Sequence, residues 1–168
     1  LGLGEVMDFV GVINQSDRMT KIVETAIKKG MFVQGHAPEL IGNELSAYIC
    51  GGPISCHETR DGRQAPDKIR KGMYVDARES SISKNISSII ENIKHMKSPR
   101  NLTLCTDDRE PRDILEVGHI NDCVRVAVKA GLDPIEAIRA TTLNTAQEYK
   151  LDKKGAIAPG YFADIVVL

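Results

Sequence analysis

Short apolar runs alternate with longer amphipathic stretches along most of this chain. Five runs predict strands, because each holds consecutive apolar residues and then stops at polar ones. These runs are LGLGEVM (1–7), MFVQGH (31–36), PISCHE (53–58), MYVDARE (73–79) and NLTLCTDD (101–108). Five strand–helix units at a spacing of about 20–30 residues predict an α/β fold with parallel strands and crossover helices.

Amphipathic stretches with helix-end signals follow the predicted strands. In one of them Ile86, Ile89, Ile90 and Ile93 form an apolar stripe at helical spacing. Glycines close the first two helices, and Asp133-Pro134 predicts the start of the last one. The predicted helical stretches are 16–30, 42–52, 65–72, 82–97, 111–131 and 133–150. The final run, YFADIVVL (161–168), returns to a strand pattern.

The predicted units could belong to a nucleotide-binding fold with a parallel sheet or to a (β/α)₈ barrel. Neither the G-x-G-x-x-G nor the G-x-x-x-x-G-K-[ST] loop occurs, so no nucleotide-binding fold is indicated. A (β/α)₈ barrel needs about 250 residues, and five units would be a little over half of one. The chain of 168 residues lacks an initiator Met and ends on an apolar run. We therefore expect it to be a piece of a longer chain.

Composition excludes several classes of protein. The chain is 42% hydrophobic and 27% charged, with a formal net charge of −1, which is typical of a globular protein without a nucleic-acid partner. Its apolar runs are far shorter than the roughly 20 residues that cross a bilayer, so no membrane partner is expected. The four cysteines show no C-x-x-C spacing, which favours reduced thiols and a cytoplasmic location.

Polar side chains recur where the predicted strands end. In a barrel these ends meet at one rim, where the active site lies. Imidazole and carboxylate groups at such a rim suit Zn²⁺, Fe²⁺ or Mn²⁺. Each histidine could instead be structural, and Arg78 with Glu79 could be an ion pair that closes the rim. The strand-end residues are Glu5, His36, His57, Arg78 with Glu79, and Asp107 with Asp108.

Several of these segments together resemble the bacterial adenine deaminases of the amidohydrolase superfamily. The segments are GHAPELIGNELSAYICGG, SCHET, GMYVDARESS, LCTDDREP, IRATTLNTAQEY and GAIAPGYFADIVVL, and the resemblance runs from residue 2 to residue 168. The last segment is shared across much of the superfamily, whereas the combination is more specific. One departure is Cys56, where the family commonly has a small or acidic residue before the histidine.

The resemblance implies a fold and a domain division. The family is a metal-dependent, distorted (β/α)₈ TIM-like barrel with a small β-sandwich built from both chain ends. Residues 1–160 would be the C-terminal portion of the catalytic barrel, covering about strands 4 to 8. Residues 161–168 would begin the strand that returns to the β-sandwich.

The resemblance also implies a binuclear divalent metal centre of Mn²⁺ or Fe²⁺, with Zn²⁺ as a further possibility. Glu5 would bridge the two ions, and His36 and His57 would bind the second one. Asp107 would bind the first ion and carry protons as the catalytic residue. The family's H-x-H ligand pair would lie upstream of this chain. Residues implied to contact the substrate are Glu58, Asp108 and His119, of which His119 could instead start a helix.

The implied reaction converts adenine and water to hypoxanthine and ammonia through attack of an activated hydroxide at C6, as in purine salvage. Another amidohydrolase reaction, on a cyclic amide or a different heterocycle, stays open as an alternative. This chain alone is expected to be inactive, and a non-catalytic oligomerising domain is a further alternative. Because a partial barrel leaves open sheet edges and uncovered helix faces, a homo-oligomer is predicted.

Overall fold

The computed structural model describes residues 2–167, which form an α/β structure with short strands. The strands are β1 (Leu3–Val6), β2 (Val33–Gly35), β3 (Ser55–Cys56), β4 (Tyr74–Arg78) and β5 (Leu102–Cys105). The helices are α1 (Phe9–Ile13), α2 (Asp17–Lys28), α3 (Gly42–Cys50), α4 (Ala65–Arg70), α5 (Ile86–Ile93), α6 (Pro111–Glu116), α7 (Ile120–Lys129), α8 (Pro134–Thr141) and α9 (Leu143–Glu148). A 3₁₀ turn (Gly62–Gln64) precedes α4.

All strand pairs in the described residues are parallel, as the strand–helix alternation predicts. β1 pairs with β2 in one sheet, and β3, β4 and β5 form a second sheet in that order. A single main-chain bond, from Ile54 N–H to Val33 O at 3.0 Å, joins the segments of β2 and β3. The carboxyl ends of all five strands therefore point the same way, with a break in the ladder between β2 and β3.

One face of β4 and β5 packs on helices, and the other faces the interior of the partial barrel. Val75 and Ala77 on β4 are fully buried in a core with the α5 side chains. The predicted α5 stripe is confirmed, since Ile86, Ile89, Ile90 and Ile93 are all buried. Burial of one isoleucine side chain contributes roughly 1.5–3 kcal/mol to stability. Because side chains alternate along a strand, Asp76 and Arg78 point to the opposite face.

Two predicted helical stretches are interrupted in the structure. The stretch 111–131 divides into α6 and α7 at Gly118, whose φ of +127° favours glycine. The stretch 133–150 divides into α8 and α9 at Thr142, whose backbone leaves helical geometry. Asp133 caps α8 as predicted, because its carboxylate accepts from the N–H groups of Ile135 and Glu136.

The strand predicted at 161–168 does not form within the described residues. Residues 162–167 are neither helix nor strand, and residue 168 lies outside the described part. A strand requires a neighbouring strand to bond its main chain, and residues 2–167 offer none here. The division at residue 160 and the return to a β-sandwich stay predictions. No helix of residues 2–167 is long and apolar enough to cross a membrane.

A layer of buried polar groups lies inside the partial barrel. The Thr103 hydroxyl donates to Asp76 on the neighbouring strand, and the Gln34 amide donates to Glu148 Oε1 at 3.0 Å. Burial raises the pKa of Asp76. Burial and the charge of Asp76 together raise the pKa of Glu148 to about 9. The two carboxyl groups therefore hold a proton at neutral pH, because two buried like charges repel.

This retained proton makes stability fall as the pH rises. Glu148 holds its proton up to about pH 9 in the folded chain, but an ordinary glutamate releases it near 4.5. The unfolded chain therefore binds fewer protons between these values, which lowers the free energy of unfolding by up to about 1.4 kcal/mol per pH unit. We expect Glu148→Gln to flatten this decline in urea unfolding at pH 6 and pH 9. The matched control is Glu116→Gln on the surface of α6, and an unchanged decline in Glu148→Gln would refute the assignment.

Candidate metal centre

Three predicted ligands meet at the carboxyl ends of neighbouring strands. Glu5 lies in β1, His36 follows β2 and His57 follows β3. Glu5 Oε1 lies 2.7 Å from His36 Nδ1 and 3.4 Å from His57 Nε2. The two imidazole rings have centroids 6.0 Å apart. One carboxylate oxygen thus stands between two imidazole nitrogens, at the rim where the sequence places them.

The bonding of these three residues fits a divalent metal ion. His36 Nδ1 is buried and finds no hydrogen-bond partner among residues 2–167, although Glu5 Oε1 is close to it. Buried polar atoms normally form hydrogen bonds. Two such atoms that lie close together without hydrogen-bond geometry are instead expected where both bind the same metal ion. Two imidazoles and a carboxylate suit Zn²⁺, Fe²⁺ or Mn²⁺ and do not single out one of them.

Tyr48 of α3, which is not among the predicted site residues, fixes the backbone beside this cluster. Its hydroxyl accepts from the main-chain N–H of His36 at 2.8 Å and donates to Val6 O at 2.7 Å. Burial raises the pKa of Tyr48, so the hydroxyl keeps the proton that it donates. The ends of β1 and β2 are therefore held together by a fully buried side chain.

Arg78 at the end of β4 binds two predicted site residues. Its guanidinium donates to Glu58, with one contact at 2.9 Å, and to Asp107. Burial acts to raise the pKa of Glu58, but hydrogen bonds from Arg78 and Arg60 outweigh it, and the pKa is lowered. The rim ion pair considered for Arg78 and Glu79 does not form, because Arg78 points inward to Glu58 and Asp107.

Asp107 lies in a second group that could hold a metal ion. Its carboxylate lies together with His57 and Glu58, and not with Glu5 and His36. The Arg78 guanidinium already pairs with both carboxylates of this second group, whereas no arginine or lysine bridges to Glu5 within residues 2–167. The first group is therefore the better cation site. Asp107 also adopts a φ of +51°, a left-handed conformation that aspartate tolerates.

The remaining predicted residues divide between the cavity and its surroundings. Asp108 and Glu58 line a cavity of about 450 Å³, a size that is common for small-molecule sites. His119 does not line the cavity; it precedes α7 as its N-cap, with Nε2 3.3 Å from the Thr106 hydroxyl. The lining residues are Glu5, Met7, His36, His57, Glu58, Arg60, Arg78, Ser80, Ile82, Ser83, Asp107 and Asp108.

Parallel strand–helix units with nitrogen and oxygen ligands at the carboxyl strand ends define a TIM-barrel-like protein with a candidate metal centre. The sequence pattern of the Amidohydrolase family matches residues 2–168, so the chain belongs to the amidohydrolase family. A crystal structure of an uncharacterized protein shares the fold with a TM-score of 0.57 at 18% identity, over 88% of this chain and 41% of that one.

The chain is also similar to adenine deaminases from several bacteria. It is 42% identical to the adenine deaminase of Clostridium acetobutylicum and 42% identical to that of Kosmotoga olearia, each over 168 residues. It is 43% identical to the adenine deaminase of Thermosipho africanus over 169 residues. Each alignment covers all of this chain but only 29% of the relative. The chain therefore spans less than a third of the length of these relatives.

Removal of the Arg78 guanidinium should destabilise the chain most at neutral pH. Within residues 2–167, Arg78→Met leaves Asp107 without an ion-pair partner and Glu58 with only the exposed Arg60, which costs about 3 kcal/mol. The lowered pKa of Glu58 means that its pairing stabilises the fold above about pH 4.5 and is lost as the pH falls below that value. Urea unfolding should show that the difference in free energy of unfolding between Arg78→Met and the unsubstituted chain is smaller at pH 4 than at pH 7.

The control for this measurement is Arg60→Met. Arg60 also bonds Glu58, but its side chain is 66% exposed. Its loss should change the free energy of unfolding by no more than about 1 kcal/mol. Equal stability of Arg78→Met and the unsubstituted chain at pH 7 would contradict the assigned pairing.

Proposed function

We propose that this chain is the part of an adenine deaminase that supplies one half of a binuclear metal centre. The observation that carries the proposal is the cluster of Glu5, His36 and His57 in a chain 42% identical to adenine deaminases over its full length. The reaction is hydrolysis of a C–N bond, which converts adenine and water to hypoxanthine and ammonia in purine salvage.

The ligand roles follow from which groups lie together. Glu5 contacts both histidines and is the carboxylate that two ions would share. His36 and His57 would hold one ion, and the remaining ligands would come from outside residues 2–167. The ions would be Mn²⁺ or Fe²⁺, with Zn²⁺ as the third choice. Bound divalent metal lowers the pKa of water from 15.7 to about 7 and so supplies a nucleophile at neutral pH.

The chain's own acidic residues handle protons and the purine. Asp107 borders the same cavity as the histidines and would accept a proton from the attacking water and deliver it to the C6 amino group, which then leaves as ammonia. Its hydrogen bond to Arg78 fixes the direction of the carboxylate. Glu58 and Asp108 line the cavity and would hydrogen-bond the purine edge. His119 has no part in this proposal, because it does not line the cavity.

The proposal places residues 1–160 in the C-terminal half of the catalytic barrel and residues 161–168 at the start of the return to a β-sandwich. The parallel order of β3, β4 and β5 supports the first placement. The cavity size accords with a small-molecule substrate, and the free cysteines favour a cytoplasmic location.

The test is a chimera in which residues 1–168 replace the aligned part of the Clostridium acetobutylicum adenine deaminase. The chimera should carry about two divalent ions and release ammonia from adenine. His36→Ala and His57→Ala should each lose metal and lower activity by more than about 100-fold, because a ligand does more than the outer-shell groups whose loss costs 10–100-fold. Elemental analysis and an ammonia assay measure both quantities.

The matched control is His95→Ala, which removes an exposed histidine just after α5 and should leave both quantities unchanged. A folded chimera that acts only on another heterocycle would refute adenine as the substrate. A folded chimera without metal would refute the mechanism.

We also propose that the chain associates with itself. Large apolar side chains are exposed together around α6 and near residue 167. They are Ile114, Leu115 at 87% and Val117, and Ile165, Val166 at 82% and Val167 at 91%. Such surface is normally covered in a folded assembly. Light scattering after size exclusion should give a mass of at least twice 18.4 kDa for the isolated chain. A monodisperse monomer at high concentration would contradict the proposal.

A further inference from the structure

The two histidines of the metal centre stand on opposite sides of the break between the two sheets. β2, which precedes His36, and β3, which precedes His57, share no strand ladder. Their one main-chain bond, from Ile54 to Val33, lies at the amino-terminal end of the strands. The spacing of the two imidazoles is therefore not set by sheet hydrogen bonds at the rim.

Lys68 of α4 crosses this break. Its side chain is fully buried, and Nζ donates to the main-chain oxygen of Ala37 at 2.6 Å. Nζ also donates to the Thr59 hydroxyl at 3.1 Å and to Cys56 Sγ at 3.5 Å. Ala37 follows His36 directly, while Cys56 and Thr59 lie on either side of His57. The Lys68 ammonium group therefore connects the main chain beside His36 to the side chains on either side of His57.

Cys56 reinforces the same connection. Its sulfur accepts from the main-chain N–H of Ala37 at 3.3 Å and from the Thr59 hydroxyl at 3.8 Å, besides Lys68. The segments after β2 and β3 therefore meet at a small polar cluster behind the metal centre, which consists of Ala37, Cys56, Thr59 and Lys68. The cluster is buried in full.

Lys68 makes no ion pair within residues 2–167. Burial of an ammonium group without a carboxylate costs free energy that its neutral hydrogen-bond acceptors offset only in part. A methionine at this position would fill similar space without that cost. The lysine therefore contributes specific contacts rather than stability alone, and those contacts all fall on the two histidine-bearing segments.

We propose that Lys68 is a positioning residue that sets the separation of His36 and His57 for metal binding. This inference rests on the metal centre of the proposed function and does not depend on adenine as the substrate. Lys68 acts through Ala37, Cys56 and Thr59, and it does not touch either imidazole.

The test compares Zn²⁺ binding by the chimera that carries residues 1–168 and by its Lys68→Met variant, with calorimetric titration after circular dichroism has established folding. Lys68→Met should weaken Zn²⁺ binding by about 10–100-fold, as loss of groups that orient metal ligands does. Thr59→Val removes one hydrogen-bond acceptor of Lys68 and keeps the shape of the side chain. It should weaken Zn²⁺ binding less than Lys68→Met does. Arg70→Met removes an exposed charge from the same helix and should leave Zn²⁺ affinity unchanged. His36→Ala gives the Zn²⁺ affinity that remains when one metal ligand is removed.

A folded Lys68→Met chain with unchanged Zn²⁺ affinity would overturn the proposal, since a purely structural lysine would alter only the unfolding temperature. If Lys68→Met does not fold, Thr59→Val decides the matter: weaker Zn²⁺ binding supports the proposal, and unchanged binding overturns it. An unsubstituted chimera without Zn²⁺ affinity would overturn both the metal centre and the role of Lys68. Normal Zn²⁺ binding beside a chimera inactive on adenine would refute the substrate alone.

Discussion

The site depends on one carboxylate oxygen held between two imidazole nitrogens. Glu5 Oε1 is 2.7 Å from His36 and 3.4 Å from His57, and the three residues come from three different strands. Parallel strands bring their carboxyl ends to one rim, but that alone does not fix distances of a few ångströms. Two buried side chains that help to fix these distances come from helices. Tyr48 joins the backbone at Val6 to that at His36, and Lys68 joins the segments after β2 and β3.

The charges of the carboxylates around this cluster are offset in three different ways. The oxygen and nitrogen atoms of the first group have no arginine or lysine partner in the described residues, and so they suit an added cation. Glu58 and Asp107 share Arg78 as their ion-pair partner. Asp76 and Glu148 lower their repulsion with a retained proton instead. The retained proton matters most because Asp76 and Glu148 are buried, where an unpaired charge is most costly.

The sequence predicts the strand ends well and the contacts between distant residues poorly. Glu5, His36 and His57 could be found because each polar residue closes an apolar run, and runs of this kind place their ends together. The partners of Arg78 lie 20 and 29 residues away along the chain, and no local pattern distinguishes them from the adjacent Glu79. Lys68 looks like an ordinary polar position of a short helix, yet it is fully buried. The strand at 161–168 has the right pattern, but a pattern cannot supply the neighbour that a strand requires.

His57 links the two groups of acidic residues, since it belongs to both candidate clusters. Its Nε2 approaches Glu5, and the following residue is Glu58, which binds Arg78 and through it Asp107. A shift of the segment after β3 would therefore move a candidate metal ligand together with the ion pairs that join Glu58, Arg78 and Asp107. The polar cluster around Lys68 anchors this segment from behind, and Arg78 anchors it from the cavity side. The segment is short and lies at the break between the two sheets. These side-chain contacts therefore hold it in place, as main-chain hydrogen bonds between strands do elsewhere in the fold.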